Sequence, residues 1–97
     1  MKILHLDTNH PLLIQQLQAF GLINDEDYTS SKDEIEAKIS EYDGIIIRSR
    51  FSIDRQFIDK ATKLKFIGRV GAGLENIDLK YCKENNIAFI DYYSKMT

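Results

Sequence analysis

Five apolar runs of strand length alternate with four helix-like segments along the 97 residues, which predicts an α/β fold. Strands separated by helices make a parallel sheet with helices on both faces, because each right-handed crossover returns its helix to the sheet surface. The third run, Gly44-Ile45-Ile46-Ile47, is apolar throughout. An antiparallel strand with one wet face would alternate, whereas a strand covered on both faces has no need to. The simplest topology is one doubly wound sheet of order 2-1-3-4-5 spanning residues 1–97, the arrangement called flavodoxin-like.

The elements follow in order. Ile3 to Leu6 is the first strand, closed by Asp7-Thr8-Asn9. Leu13, Leu17 and Phe20 then fall on one face of a helix, with Pro11 near its first turn and Gly21 just past its end. Leu22 and Ile23 open a more polar strand suited to a sheet edge. Ser31-Lys-Asp-Glu34 reads as a capping box, and Ile35, Ile39 and Tyr42 form the buried stripe of the helix it starts. After the third strand, Ser52 is placed to cap a short helix carrying Phe57, Ile58 and Ala61. Leu64 to Ile67 is the fourth strand. Asp78 caps the last helix, which turns Leu79 and Cys82 inward, and Ile87 to Ile90 completes the sheet.

Composition excludes several function classes. Hydrophobic residues make up 43% and charged residues 29%, so the chain can build a core and is not compositionally disordered. Thirteen basic against fifteen acidic residues give a formal charge of −2, which provides no field to draw nucleic acid or an anionic membrane. No apolar stretch of about 18 residues is present for a membrane span, and only six residues precede the first acid, Asp7, too few for a signal peptide core. Cytoplasmic placement is expected. Cys82 is the only cysteine, so neither an intrachain disulfide nor a cysteine metal set is available.

Ligands of open α/β sheets bind outside the carboxyl ends of the strands, where strand order reverses. Asp7-Thr8-Asn9, Arg48-Ser49-Arg50 and Arg69-Val70-Gly71-Ala72-Gly73 follow strands 1, 3 and 4, which the predicted order makes neighbours. Gly71 and Gly73 permit a close approach of ligand to main chain, and successive amides in such a loop form an anion-binding concavity. Arg48 and Arg69 can each take a carboxylate or phosphate through paired hydrogen bonds. Glycine also punctuates ordinary turns, but two arginines at neighbouring strand ends favour a small acid with one or two negative groups. The same loop is not a dinucleotide fingerprint. Asn76 stands where its third glycine would be, and the helix begins near Asp78, beyond the glycines.

The segment Leu64 to Leu79, with Gly44-Ile-Ile-Ile-Arg-Ser-Arg50 before it and Asn86-Ile-Ala-Phe-Ile90 after it, resembles the D-isomer-specific 2-hydroxyacid dehydrogenases over residues 1–90, most closely their 3-phosphoglycerate branch. In that family a flavodoxin-like substrate domain packs against a Rossmann NAD domain. The resemblance implies that Arg48 and Ser49 line the substrate pocket and that the amides of Val70, Gly71, Ala72 and Gly73 hold the substrate carboxylate, with Arg69 close by. The ligand is then a small 2-hydroxy acid or phosphorylated acid. NAD, together with the arginine, carboxylate and histidine that perform the chemistry, belongs to a partner half, leaving this chain with no catalytic residue and inactive alone. His5 and His10 are read as packing or capping residues, Asn76 and Asp78 as loop and cap residues, and Cys82 as a small core residue.

Residues 91–97 depart from the family pattern, which continues into an Asn-x-Pro-like turn and a long helix leading to the NAD domain. Family members also complete this domain with a distant C-terminal segment, so a chain without it is expected to self-associate through the uncovered surface. Other doubly wound modules fit less well. A receiver domain needs paired acids after strand 1 and an aspartate after strand 3, where Asp7 stands alone and Arg48 follows. A flavodoxin needs a hydroxyl-rich phosphate loop, where this sequence has Asp7-Thr8-Asn9-His10. A non-catalytic binding or regulatory module, or a partner of a full-length homologue, is the alternative reading.

Overall fold

Gly44 to Ile47 is buried along its whole length, as a central strand requires. In the computed structural model, which describes residues 1–7, 11–48, 52–70 and 77–91, this strand is β3. Its neighbours are β1 (Lys2–His5) and β4 (Phe66–Arg69), and the edges are β2 (Ile23–Glu26) and β5 (Ala88–Asp91). The order is β2-β1-β3-β4-β5 with every pairing parallel, as expected from the sequence. Between the strands lie α1 (Pro11–Ala19), α2 (Lys32–Lys38), α3 (Arg55–Lys60) and α4 (Leu79–Glu84). Among the described residues, no helix is long and apolar enough to cross a membrane.

The order fixes the layers. The chain steps outward from β1 to β2 and then in the opposite direction from β2 through β3, β4 and β5, so right-handed crossovers put α1 on one face and α2 to α4 on the other. Packing agrees. Leu4, Leu6, Ile45, Ile47 and Ile67 share one core with Ile35 and Ile39 of the α2 region, Phe57 and Ile58 of α3 and Cys82 of α4. Ile3, His5 and Ile46 are equally buried but point to the face of α1, which packs against β2.

Local chemistry explains most boundaries. Ser31 accepts the Glu34 N–H while Glu34 reaches back to the Ser31 N–H at 2.8 Å, closing the expected capping box. A 3-10 turn, Ile39–Glu41, then continues the buried stripe to Tyr42. Asp78 caps α4 by accepting the Tyr81 N–H at 3.0 Å, as expected. Ser52 does not cap α3. Ile53 is buried and forms a parallel bridge to Ile77, which keeps the chain extended for two more residues, and Asp54 takes the Phe57 N–H instead. Phe20 is 83% exposed and not on a buried stripe. Helix α1 ends at Ala19, and Gly21 at φ +81° turns the chain towards β2. Strand β4 begins two residues later than predicted, because the buried Leu64 belongs to the turn leaving α3, where its N–H bonds to Ala61. His5 is fully buried and its Nε2 meets Asn24 Oδ1 at 2.8 Å, the packing role expected of it.

Three aspartates make acid the weak side of this fold. Lys38 and Ser30 hold the Asp27 carboxyl far below its usual range, the Lys2 N–H lowers Asp43, and Lys32 with the Phe57 N–H lowers Asp54. Each stabilises the folded state above the ordinary aspartate value of 3.8 and loses that contribution as pH falls through the lower folded value. At the other end, burial pushes the Cys82 thiol up to about 11 and the Tyr28 phenol up to about 12. These groups favour folding below the ordinary values of 9.0 and 10.0, and the advantage fades as pH rises through the folded ones. The thermal midpoint, followed by circular dichroism, is expected to be flat from about pH 5 to 8 and to fall on both sides. A midpoint that held steady from pH 5 down to about pH 2 would contradict this account.

Candidate functional site

The carboxyl ends of β1, β3 and β4 lie side by side, and the strand order reverses between β1 and β3. Leu6 N–H still donates to the Ile46 carbonyl at 2.9 Å, and one residue further the Asp7 carboxylate accepts the Arg48 N–H at 2.6 Å. On the other side Arg69 is in register with Ile47, and the Val70 N–H donates to the Ile47 carbonyl at 2.9 Å. The segments leaving β3 and β4 therefore start together. They also finish together, since Ile53 bridges Ile77 and accepts the Asp78 N–H at 3.0 Å. The two loops between these fastenings are tied to each other at both ends, and the first lies beside the switch point between β1 and β3 where this class of sheet binds ligands.

Arg48 is exposed at the end of β3, and Arg69 is 7% exposed at the end of β4, on the same face as Ile47 and Ile67. An arginine thus stands at each of two adjacent strand ends, Arg69 on the face of Ile47 and Arg48 one residue beyond Ile47. The Val70 amide, expected to help hold a carboxylate, is already committed to the sheet, so Val70 contributes its place and not its N–H. Ser49, Gly71, Ala72 and Gly73 lie outside the described residues, as do His10 and Asn76. Asp7 was legible as part of the segment closing β1, but its bond to the Arg48 N–H and the Ile53–Ile77 bridge were not, because both are products of pairing between distant segments.

Other chemistry finds little support here. No cluster of three or more histidine, cysteine or acidic side chains is placed to hold a metal among the described residues. Cys82 is buried in the core and its thiol is pushed up to about 11, so it is protonated at neutral pH and unsuited to nucleophilic attack. Nor is α4 a pyrophosphate site. It starts at Leu79, and its first turn is closed by the Asp78 carboxylate, whose charge would repel a phosphate. A groove of about 500 Å³ runs between α4 and the amino end of β5, past Cys82, Lys83 and Phe89, away from the strand carboxyl ends.

Residues 3–93 match the family model of the D-isomer specific 2-hydroxyacid dehydrogenase catalytic domain. The chain belongs to this family. The match runs three residues beyond Ile90, where the sequence-based resemblance stopped. A D-3-phosphoglycerate dehydrogenase of Methanocaldococcus jannaschii is 37% identical over 94% of this chain and 17% of its own length. Among solved structures, a Pyrococcus horikoshii protein superposes with a TM-score of 0.85 at 26% identity, covering 93% of this chain and 27% of that one. An NAD+-bound 3-phosphoglycerate dehydrogenase of Entamoeba histolytica gives 0.72 at 27% identity, over 94% and 32% respectively. The chain thus spans about a sixth of the dehydrogenase from M. jannaschii and less than a third of each solved relative named here. Within this family domain, the segments leaving β3 and β4 begin at paired positions, with Arg48 and Arg69 at the two strand ends.

Proposed function

We propose that this chain is the substrate-binding half of a cytoplasmic, NAD-dependent D-2-hydroxyacid dehydrogenase acting on 3-phosphoglycerate. The observation that carries the reading is the double fastening of the loops after β3 and β4, from Val70–Ile47 at one end to Ile53–Ile77 at the other. Arg48 and Ser49 from one loop, and Arg69 with the 70–73 segment from the other, form the pocket. The arginines pair with the phosphate and carboxylate of the acid, and the amides of Gly71, Ala72 and Gly73 complete the carboxylate cradle. Val70 borders it. A second domain supplies NAD, which accepts the hydride from C2, and the groups that exchange the proton of the 2-hydroxyl. This chain alone orients the acid and catalyses nothing.

The test is an NMR titration of the labelled chain with 3-phosphoglycerate and, separately, NADH. The acid is expected to shift amides around Arg48 and residues 70–73, and NADH to shift none of them. Arg48→Ala is expected to weaken the acid by about tenfold or more, the worth of a charge-assisted pair. Specific NADH shifts at the 70–78 segment would sink the assignment. A chain that ignores the acid would show that the affinity resides elsewhere in the enzyme.

A further inference from the structure

A carboxylate at the mouth of an anion site is unfavourable by charge, since like charges repel across a partly desolvated gap. Asp7 sits at this mouth, at the end of β1, and its negative charge can contribute nothing to holding an acid. Its geometry gives it another task. Where the β1–β3 ladder gives way after the Leu6–Ile46 bond, Asp7 Oδ2 takes the Arg48 N–H at 2.6 Å, across 41 residues of sequence. A carboxylate–amide bond of this length is charge-assisted and roughly twice as strong as a neutral one. It fixes the Arg48 peptide, the first beyond β3, at the point where the sheet order reverses.

We infer that Asp7 is a positioning residue that holds the Arg48 backbone in the place from which Arg48 meets the acid. The inference rests on the site proposed above. It assigns Asp7 no contact with the substrate: the residue acts through the Arg48 backbone.

The experiment compares the unsubstituted chain, Asp7→Ala and Asp7→Asn for 3-phosphoglycerate affinity, thermal midpoint and hydrogen exchange at the Arg48 amide, with Ile46 as the internal reference. Asp7→Ala is expected to bind the acid about ten- to a hundredfold more weakly, the loss of one hydrogen bond to a charged group. Its Arg48 amide should exchange faster while Ile46 is unchanged. Asp7→Asn keeps an oxygen that accepts the N–H but not the charge, so its loss of affinity and of Arg48 protection is expected to be intermediate, about three- to tenfold and always smaller than that of Asp7→Ala. Asp7→Ala binding as tightly as the unsubstituted chain overturns the inference, and so does Asp7→Asn losing as much as Asp7→Ala. If Asp7→Ala does not fold, the unsubstituted chain decides, because coupling is reciprocal: saturation with the acid must slow Arg48 exchange relative to Ile46. No slowing overturns the anchor role. An unsubstituted chain without affinity for the acid removes the proposed site and the inference with it. Intact affinity without the Asp7 effects removes the inference alone.

Discussion

Phe57→Ala is expected to destabilise the chain by about 3–5 kcal/mol, the cost of deleting a fully buried aromatic ring and leaving a cavity behind. Phe57 is the largest of the fully buried side chains among the described residues. It sits on α3, a helix of six residues that packs against both α2 and α4. Isolated helices shorter than about 12 residues are marginal in water, so α3 is held by what Phe57 and Ile58 bury and not by its own propensity. Losing the ring therefore loosens the layer that covers this face of the sheet. Against a total stability of about 5–15 kcal/mol, the loss brings the chain close to unfolding. Urea denaturation should show the midpoint falling by about 2–4 M, if the slope is about 1.3 kcal/mol/M. Phe57→Leu, which keeps most of the volume, should cost less than half as much. A loss below about 1 kcal/mol for the alanine variant would show that the ring does not fill a close-packed core.

Gly44→Ala is expected to cost about 1–3 kcal/mol although it adds a single methyl group. Gly44 and Phe66 are register partners on β3 and β4, and a Cβ built at Gly44 would lie inside the Phe66 ring, against Cε1, Cζ and Cε2. The ring thus occupies the space left by the missing side chain, an aromatic lid on a strand glycine. Because the clash is with one neighbour, it should vanish when that neighbour is removed. In Gly44→Ala/Phe66→Ala the glycine replacement should become neutral or mildly stabilising, since alanine costs a strand less entropy by about 0.5–1 kcal/mol. The double-mutant cycle should return a coupling of about 1–3 kcal/mol, and additive effects would mean that the two residues do not share this space.

Most of the architecture was legible because local chemistry and the global fold agree. The uninterrupted apolar stretch at β3 specifies a central strand, the Ser31 box and the Asp78 cap mark helix starts, and the alternation of elements leaves few topologies. The misplacements have a common cause. Leu64, Phe20 and Ser52 each carry a local signal that tertiary pairing overrides: Leu64 is buried from a turn, Phe20 extends a periodicity beyond the end of its helix, and Ser52 precedes a residue pinned to Ile77. Apolar character says that a residue is buried but not which element buries it. At the site, Arg48 and Arg69 were readable as charged residues at strand ends. The engagement of the Val70 amide was not, because it depends on the register of β4 against β3, and register is written in no single segment.

The exposed edge strand β2 reads Ile23-Asn24-Asp25-Glu26, followed by Asp27. An unpaired strand edge invites the same edge of another molecule to pair with it, and two copies meeting here would bring three acids against three acids. The strand thereby discourages its own polymerisation at neutral pH without a bulge or a proline.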